Sequence, residues 1–289
     1  MQQTEVLDKY RQAGSILTEV RDEATKKVKV GRKLLDLAES IELSIQQKGG
    51  AVAFPTNISL NDEAAHATPS KADTATFGRD LVKLDIGVHI DGYIADTAIT
   101  IDLGSNQKLV EASNSALERA IDVVHAGVDT SAISAVIEET ITEYGFRPIA
   151  NLTGHGLERY KQHAPPAIHN RRTPSGAKLV QGQVIAIEPF ASSGNGRVYE
   201  AGRAEIFSFV KVKPVRSPEA RAILKDIEAY KSLPFAKRWL KGRVDIGLRQ
   251  LETAGVIRAY PVLKDRGLVS QAEHTLIVTA SGSEVITSH

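Results

Sequence analysis

The chain has 289 residues, enough for one large domain or two small ones, and its 36 basic residues nearly balance 35 acidic ones. No overall field therefore directs it to nucleic acid or an anionic membrane, and any charged site must be local. The absence of cysteine excludes a disulfide framework, a zinc knuckle and a thiol nucleophile, and leaves His, Asp and Glu as the available metal ligands. No apolar run approaches the ~18 residues of a membrane span, and the opening MQQTEVLDKYRQAG lacks an apolar leader stretch, so we expect a soluble, cytoplasmic protein.

Two amphipathic helices are predicted between residues 4 and 48, one on Val6, Tyr10, Ile16, Leu17 and Val20, the next on Leu34, Leu35, Leu37, Ala38, Ile41 and Ile45. Gly49 and Gly50 stop the second, and AVAFPTNISLNDEAAHATP reads as a strand followed by a turn-rich loop. KLDIGVHIDGYIADTAITIDL alternates like a β-hairpin with Asp91 and Gly92 as its two-residue turn. Helices follow from about Gln107 to Ala126 and from about Ser131 to Tyr144. TGHGLERYKQHAPPAIHN reads as a Gly- and His-rich loop, VIAIEP as a buried strand and SSGNG as a turn. Residues 217–259 read as helical again, and AEHTLIVT closes the chain as a strand. The mixture gives an α+β fold class.

Several acids stand where a core strand should carry none. With Asp91 and Gly92 at the turn, Asp96 falls opposite Gly87, two positions from Asp85, so both aspartates share one face. Such diagonal neighbours sit roughly 7 to 8 Å apart. Converging carboxylates on a half-buried sheet repel one another and lose hydration unless a cation or a proton lies between them. A pair of divalent metals fits, although the wet side of a hairpin would give the same pattern. Glu188 ends the apolar run Val184 to Ile187 and Glu273 precedes the run Leu276 to Val278; each alone reads as an edge or surface residue. His155, between Gly154 and Gly156, offers an imidazole nitrogen, or is simply a loop residue. Together the four carboxylates and one histidine form a ligand set for two divalent metals.

At this point the residues resemble a known family, the methionine aminopeptidases of the pita-bread fold, and within it the archaeal and eukaryotic type II group. AFPTNISLNDEAAHATP, LDIGVHIDGYIADTA, GHGLERYKQHA, VIAIEPFASSGNG, LPFAKRWL, AYPVL and AEHT carry the resemblance, nearly end to end. It implies that Asp85, Asp96, His155, Glu188 and Glu273 hold two divalent ions (cobalt, manganese, iron or zinc), with Asp96 and Glu273 bridging. It also implies active-site roles for His66 and His163, and a methionine side-chain pocket lined by Phe54 and Tyr260. Without the resemblance the two histidines read as surface residues and the two aromatics as ordinary packing. His89, His125, His169, His274 and His289 match no catalytic position. The long span between Glu188 and Glu273 implies a single pita-bread catalytic domain over 1–289 with a helical type II insertion at 209–266.

The implied activity is removal of the initiator methionine from nascent proteins, favouring small second residues. In that scheme Glu188 carries a proton to the leaving nitrogen, His163 donates to the oxyanion and His66 bonds the scissile amide. N-terminal peptides are the implied partners, the ribosome is a further one the resemblance raises, and a monomer is the default. Four positions depart from the pattern: Gln162 stands where an apolar residue is usual, Pro165 where glycine is, Ala67 where tyrosine is and Ala272 where phenylalanine is. The alternatives are a prolidase or aminopeptidase P, for which the 50 or so residues before AFPT are too few to form the usual extra domain, a creatinase-like hydrolase, and a non-catalytic pita-bread binding module.

Overall fold

A computed structural model describes residues 3–288; His289 lies outside them. The chain opens with helices α1 (Gln3–Thr25) and α2 (Leu34–Gln47), then strands β1 (Ala51–Leu60), β2 (Glu63–Ala65), β3 (Leu81–Ile90) and β4 (Tyr93–Asp102). Helices α3 (Gln107–Asp122) and α4 (Thr130–Glu143) come next. After them run β5 (Arg147–Pro148), β6 (Thr153–Glu158), β7 (Lys161–His169), β8 (Val184–Ile187), β9 (Phe190–Ser192) and β10 (Tyr199–Phe209). The last part holds α5 (Pro218–Ile227), β11 (Phe235–Ala236), α6 (Val244–Thr253), β12 (Ile257–Lys264), β13 (Val269–Gln271), β14 (His274–Val278) and β15 (Ser283–Val285).

Both N-terminal helices bury their apolar stripes on one three-stranded sheet, ordered β1-β3-β4. Leu17, Val20, Leu37, Ile41 and Ile45 meet Val82, Leu84, Ile86 and Val88 there. β3 and β4 pair through the Asp91-Gly92 turn in the register read from the sequence, with Gly87 opposite Asp96 and Asp85 opposite Ala98. Helices α3 and α4 cover a five-stranded sheet ordered β15-β14-β8-β6-β7, and Ile133, Ile137 and Ile141 pack with Ile185, Ile187 and Leu276. Helix α4 starts at Asp129, whose side chain accepts from the Ser131 amide. Helix α3 ends four residues earlier than its pattern predicts, because the amides of Ala126 and Gly127 donate to Thr279 and Leu179 on neighbouring segments.

Two stretches differ from the sequence reading. TGHGLERYKQHAPPAIHN is not a loop but the hairpin β6–β7, with β6 also paired to β8. Its Gly and Pro content marks close backbone approach rather than a turn: a Cβ on Gly156 would stand 2.1 Å from the Pro165 carbonyl oxygen. Residues 217–259, read as helical, contain α5 and α6 but also β11, and IRAYPVLK runs on as strand β12. β12 and the unpredicted strand β10 join a sheet ordered β11-β10-β12-β2. Long-range pairing has overridden helical periodicity here. Phe207, Phe235, Ile223, Ile227, Leu248 and Leu251 give this region a core of its own. Among the described residues no helix is long and apolar enough to cross a membrane.

Candidate active site

The two main sheets meet where the edge strand β4 runs beside the start of β14, and this seam brings the acids together. Glu273 pairs across it with Ala98, its amide donating to the Ala98 carbonyl at 2.9 Å. The Thr97 hydroxyl donates to the Glu273 carbonyl at 2.7 Å. The Thr275 hydroxyl accepts from the Asp96 amide and donates to the Asp96 carbonyl, both at 2.8 Å. These threonines fix the backbones that carry Asp96 and Glu273, so the carboxylates cannot swing apart to relieve repulsion.

Asp85 joins from β3, Glu188 from the end of β8, and His155 from β6, directly opposite Ala186 of β8. One ligand atom each of Asp96, His155 and Glu273 lies within 4.8 Å of the others. His155 Nε2 stands 3.5 Å from Glu188 and 3.9 Å from Asp96. Its Nδ1 lies 3.2 Å from the Gly156 carbonyl, an arrangement in which Nδ1 carries the proton and Nε2 keeps a free lone pair aimed at the acids. All five residues, with His66 and His163, line one cavity of about 230 Å³.

Electrostatics mark the cluster as incomplete. Burial, then mutual repulsion, pushes Asp96, Glu188 and Glu273 well above the usual carboxylate range, and burial lifts Asp85 to about 7. Burial also lowers His155 to about 3 and His66 to about 4, His163 adding to both shifts, and it lowers His163 itself. Asp85 Oδ1, Asp96 Oδ1 and Glu273 Oε1 are buried without any hydrogen-bond partner. Neutral imidazole beside four hard oxygen donors, three of them with an unsatisfied atom, is the donor set of divalent metal ions, and the residues fit such ions.

The other expected residues surround this floor. His66 has left-handed backbone (φ 64°), and its Nδ1 lies 3.3 Å from the Pro261 carbonyl. His163 meets His155 edge to face at 4.7 Å between centroids. Phe54 lies over Gly87, where an added Cβ would stand 2.1 Å from the ring, so only glycine admits the phenyl group there. Tyr260 packs edge to face on His66 at 5.4 Å, its hydroxyl 3.0 Å from that of Ser208. Of the five histidines set aside, His89, His125, His169 and His274 lie outside the cavity lining.

Sequence reasoning missed Gln271. Its buried amide faces Asp85, Glu188 and Glu273 at 3.3, 3.4 and 3.5 Å, supplying the one neutral donor shared by three acids. An amide two residues before Glu273 in a strand, hence on the same face, was the available signal. Asn57, opposite Asp85 on β1, also lines the cavity. Gln162 does too, and donates to Asp96 at 3.2 Å.

Comparison with known proteins agrees with this arrangement. Residues 8–280 match the model of metallopeptidase family M24. The chain is 54% identical to the methionine aminopeptidase of Archaeoglobus fulgidus over 287 residues, covering 98% of this chain and 99% of that one. It is similar in fold to a thermophilic Arx1 (TM-score 0.87, 20% identity, 99% of this chain and 91% of that chain). The methionine aminopeptidase of Thermotoga maritima superposes with TM-score 0.74 at 22% identity, over 99% of this chain and 97% of that one. These likenesses agree with the pita-bread α+β architecture, and the chain belongs to metallopeptidase family M24.

Proposed function

We propose that this protein is a metal-dependent methionyl aminopeptidase that removes the initiator methionine from new polypeptides. The observation that carries the reading is the buried set of four carboxylates and His155 on the floor of a cavity walled by Phe54, His66, His163 and Tyr260. Near end-to-end identity with a methionine aminopeptidase supports it. Asp85, Asp96, His155, Glu188 and Glu273 would hold two divalent ions. Cobalt, manganese, iron and zinc all suit such donors. When bound, the ions supply Lewis-acid polarisation and activation of water at neutral pH.

The protein's own groups do the rest. Glu188, with 13% side-chain exposure, is more open than Asp96 at 2%, which suits it to carry a proton toward the leaving nitrogen. His163 faces the open cavity and would donate to the carbonyl oxygen as it becomes tetrahedral. With Nδ1 donating to Pro261, His66 keeps Nε2 as an acceptor for the scissile amide N–H. Phe54 and Tyr260 would bound the methionine side chain, and crowding at the second residue would favour small side chains there. We read 1–289 as one catalytic domain with 209–266 inserted in it as a wall of the pocket, acting in the cytoplasm as a monomer on N-terminal peptides emerging from the ribosome.

The test is methionine release from Met-Ala-Ser and Met-Pro peptides by metal-stripped protein, with and without cobalt or manganese, alongside Glu188→Ala. We expect metal-dependent release from Met-Ala-Ser, abolished by the substitution. Cleavage confined to Met-Pro would point instead to an Xaa-Pro peptidase, and no cleavage by folded, metal-loaded protein to a binding module.

A further inference from the structure

Away from the acids the molecule buries one more ionic cluster. Glu42, on the inner face of α2, pairs with Arg238, which follows β11 in the inserted region; their side chains are 10% and 3% exposed. The Trp239 indole N–H donates to the second Glu42 oxygen at 2.8 Å. Burial of this kind often adds little net stability over an apolar replacement. What sets this pair apart is where its remaining hydrogen bonds go.

Glu42 also accepts the Thr56 amide at 3.2 Å, two residues from Phe54. Arg238 Nη1 donates to the Thr68 hydroxyl at 2.7 Å and the Pro69 carbonyl at 3.2 Å. The Thr68 hydroxyl in turn donates to the Thr56 carbonyl at 2.7 Å. One ion pair thus holds both polar groups of the Thr56 backbone and the segment two and three residues after His66. His66 needs such support, since a non-glycine residue at φ 64° persists only where its surroundings hold it. Arg238 belongs to the same segment as Pro234, a lining residue of the cavity, so the pair also ties the inserted wall to the His66 loop.

We propose that Glu42 and Arg238 are positioning residues for the aminopeptidase reaction: the pair clamps β1, the His66 loop and the inserted wall together and so sets where the His66 imidazole stands over the metal-ligand floor. The inference rests on the role given to His66 above. It separates this clamp from the metal ligands, none of which it touches.

The clamp is tested with Thr68→Val, which removes the linking hydroxyl and leaves the ion pair, Thr68→Ser, which keeps the hydroxyl, and Arg238→Met. Each is made in the natural sequence and in a His66→Ala background, and kcat and KM for Met-Ala-Ser are measured with cobalt-loaded protein, together with cobalt affinity. Misplacing one group by about 1 Å costs up to about a hundredfold in rate. Thr68→Val and Arg238→Met should therefore lower kcat about tenfold or more while KM and cobalt affinity stay within about twofold. Thr68→Ser should retain activity. In the His66→Ala background the same substitutions should cost less than about twofold, because the group they position is gone. Losses that multiply with that of His66→Ala, or a fully active Thr68→Val, would overturn the clamp. An active His66→Ala protein would instead overturn the role of His66 itself. Should Arg238→Met fail to fold, the two Thr68 substitutions still decide.

Discussion

The molecule buries charge in several places and treats two of them in opposite ways. At the seam of β4 and β14, four carboxylates converge with no cationic side chain of the described residues paired to them; their partners include the amides of Gln162 and Gln271, the Thr97 backbone and one neutral imidazole. Beside α2, Glu42 is matched by Arg238, Trp239 and the Thr56 amide. Four like charges in low dielectric cannot all ionise, so the first cluster is built for something that arrives from outside. The second matches the acid with a base, leaving only Arg238 Nε of the pair without a partner, and serves to hold segments still. Here the unpaired acids suit binding, and the ion pair suits scaffolding.

The largest expected effect breaks the first region alone. Glu188→Ala should lower kcat/KM for Met-Ala-Ser by roughly a thousandfold or more at saturating metal, since both a proposed ligand and the proposed proton carrier go. Unfolding in urea should show little loss of stability, because removing one of four repelling acids relieves strain in the metal-free protein. A strongly destabilised Glu188→Ala protein would mean that the acids support the fold, contrary to the contrast drawn here.

The second region should respond the other way. Removing one partner of a buried ion pair leaves an uncompensated charge and costs about 3 to 5 kcal/mol. Arg238→Met should show a loss of that order in urea unfolding, and Glu42→Gln combined with Arg238→Met should recover most of it, as neither side then carries charge. If the double substitution is as unstable as the single one, packing rather than charge pairing holds this corner.

How far each region could be read in the sequence follows the same division. The acidic site was legible because each acid sits beside an apolar strand pattern, and the Asp91-Gly92 turn fixed the register that puts Asp85 and Asp96 on one face. Glu42 and Arg238 left no local trace: each occupies a position that also suits a solvated helix or loop residue, and their partners lie far apart along the chain. Strands β10 and β12 were hidden for a related reason. Their pairing is irregular, jumping from Ala201 to Ile206, and Tyr199 and its neighbours are exposed, so no clean alternation survives. The hairpin β6–β7 was masked by the glycines and prolines that its close backbone contacts require.

Stability against pH sharpens the contrast in the metal-free protein. Asp85 has a folded pKa of about 7, above its ordinary value near 4, and the other three acids are raised too, so the folded state holds more protons than the unfolded one. Stability is then fullest below pH ~4 as far as these groups decide it, and falls as pH rises toward 7. A difference of one bound proton changes stability by about 1.4 kcal/mol per pH unit, or roughly 3 °C in Tm for a chain of this size. The buried histidines, whose pKa values burial lowers, contribute the opposite slope in this range, so the acids are read by difference: relative to an Asp85→Asn variant, metal-stripped protein should lose Tm between pH 5 and about 7, and added cobalt or manganese should reverse that difference, because ion binding requires the ionised carboxylates. A difference between the two proteins that is flat or rises through this range would show that the acids are not held in a mutually repelling cluster.

The smallest effect concerns Gln162, where the two kinds of polar burial meet. Its amide donates to Asp96, lending the acid a weak partner, yet the same side chain lines the cavity proposed for an apolar thioether. A bound ion would take over that oxygen of Asp96 and leave the amide facing the substrate, where a buried donor without an acceptor costs about 1 to 3 kcal/mol. Gln162→Leu should remove both conflicts. KM for Met-Ala-Ser should fall about threefold to tenfold with kcat little changed, and cobalt affinity by calorimetry should rise, since the metal no longer competes with the amide for Asp96. An increase in KM would place the amide in productive contact with substrate. Weaker cobalt binding would mean that Gln162 orients Asp96 for the ion and belongs with Glu42 and Arg238 among the groups that hold the site in place.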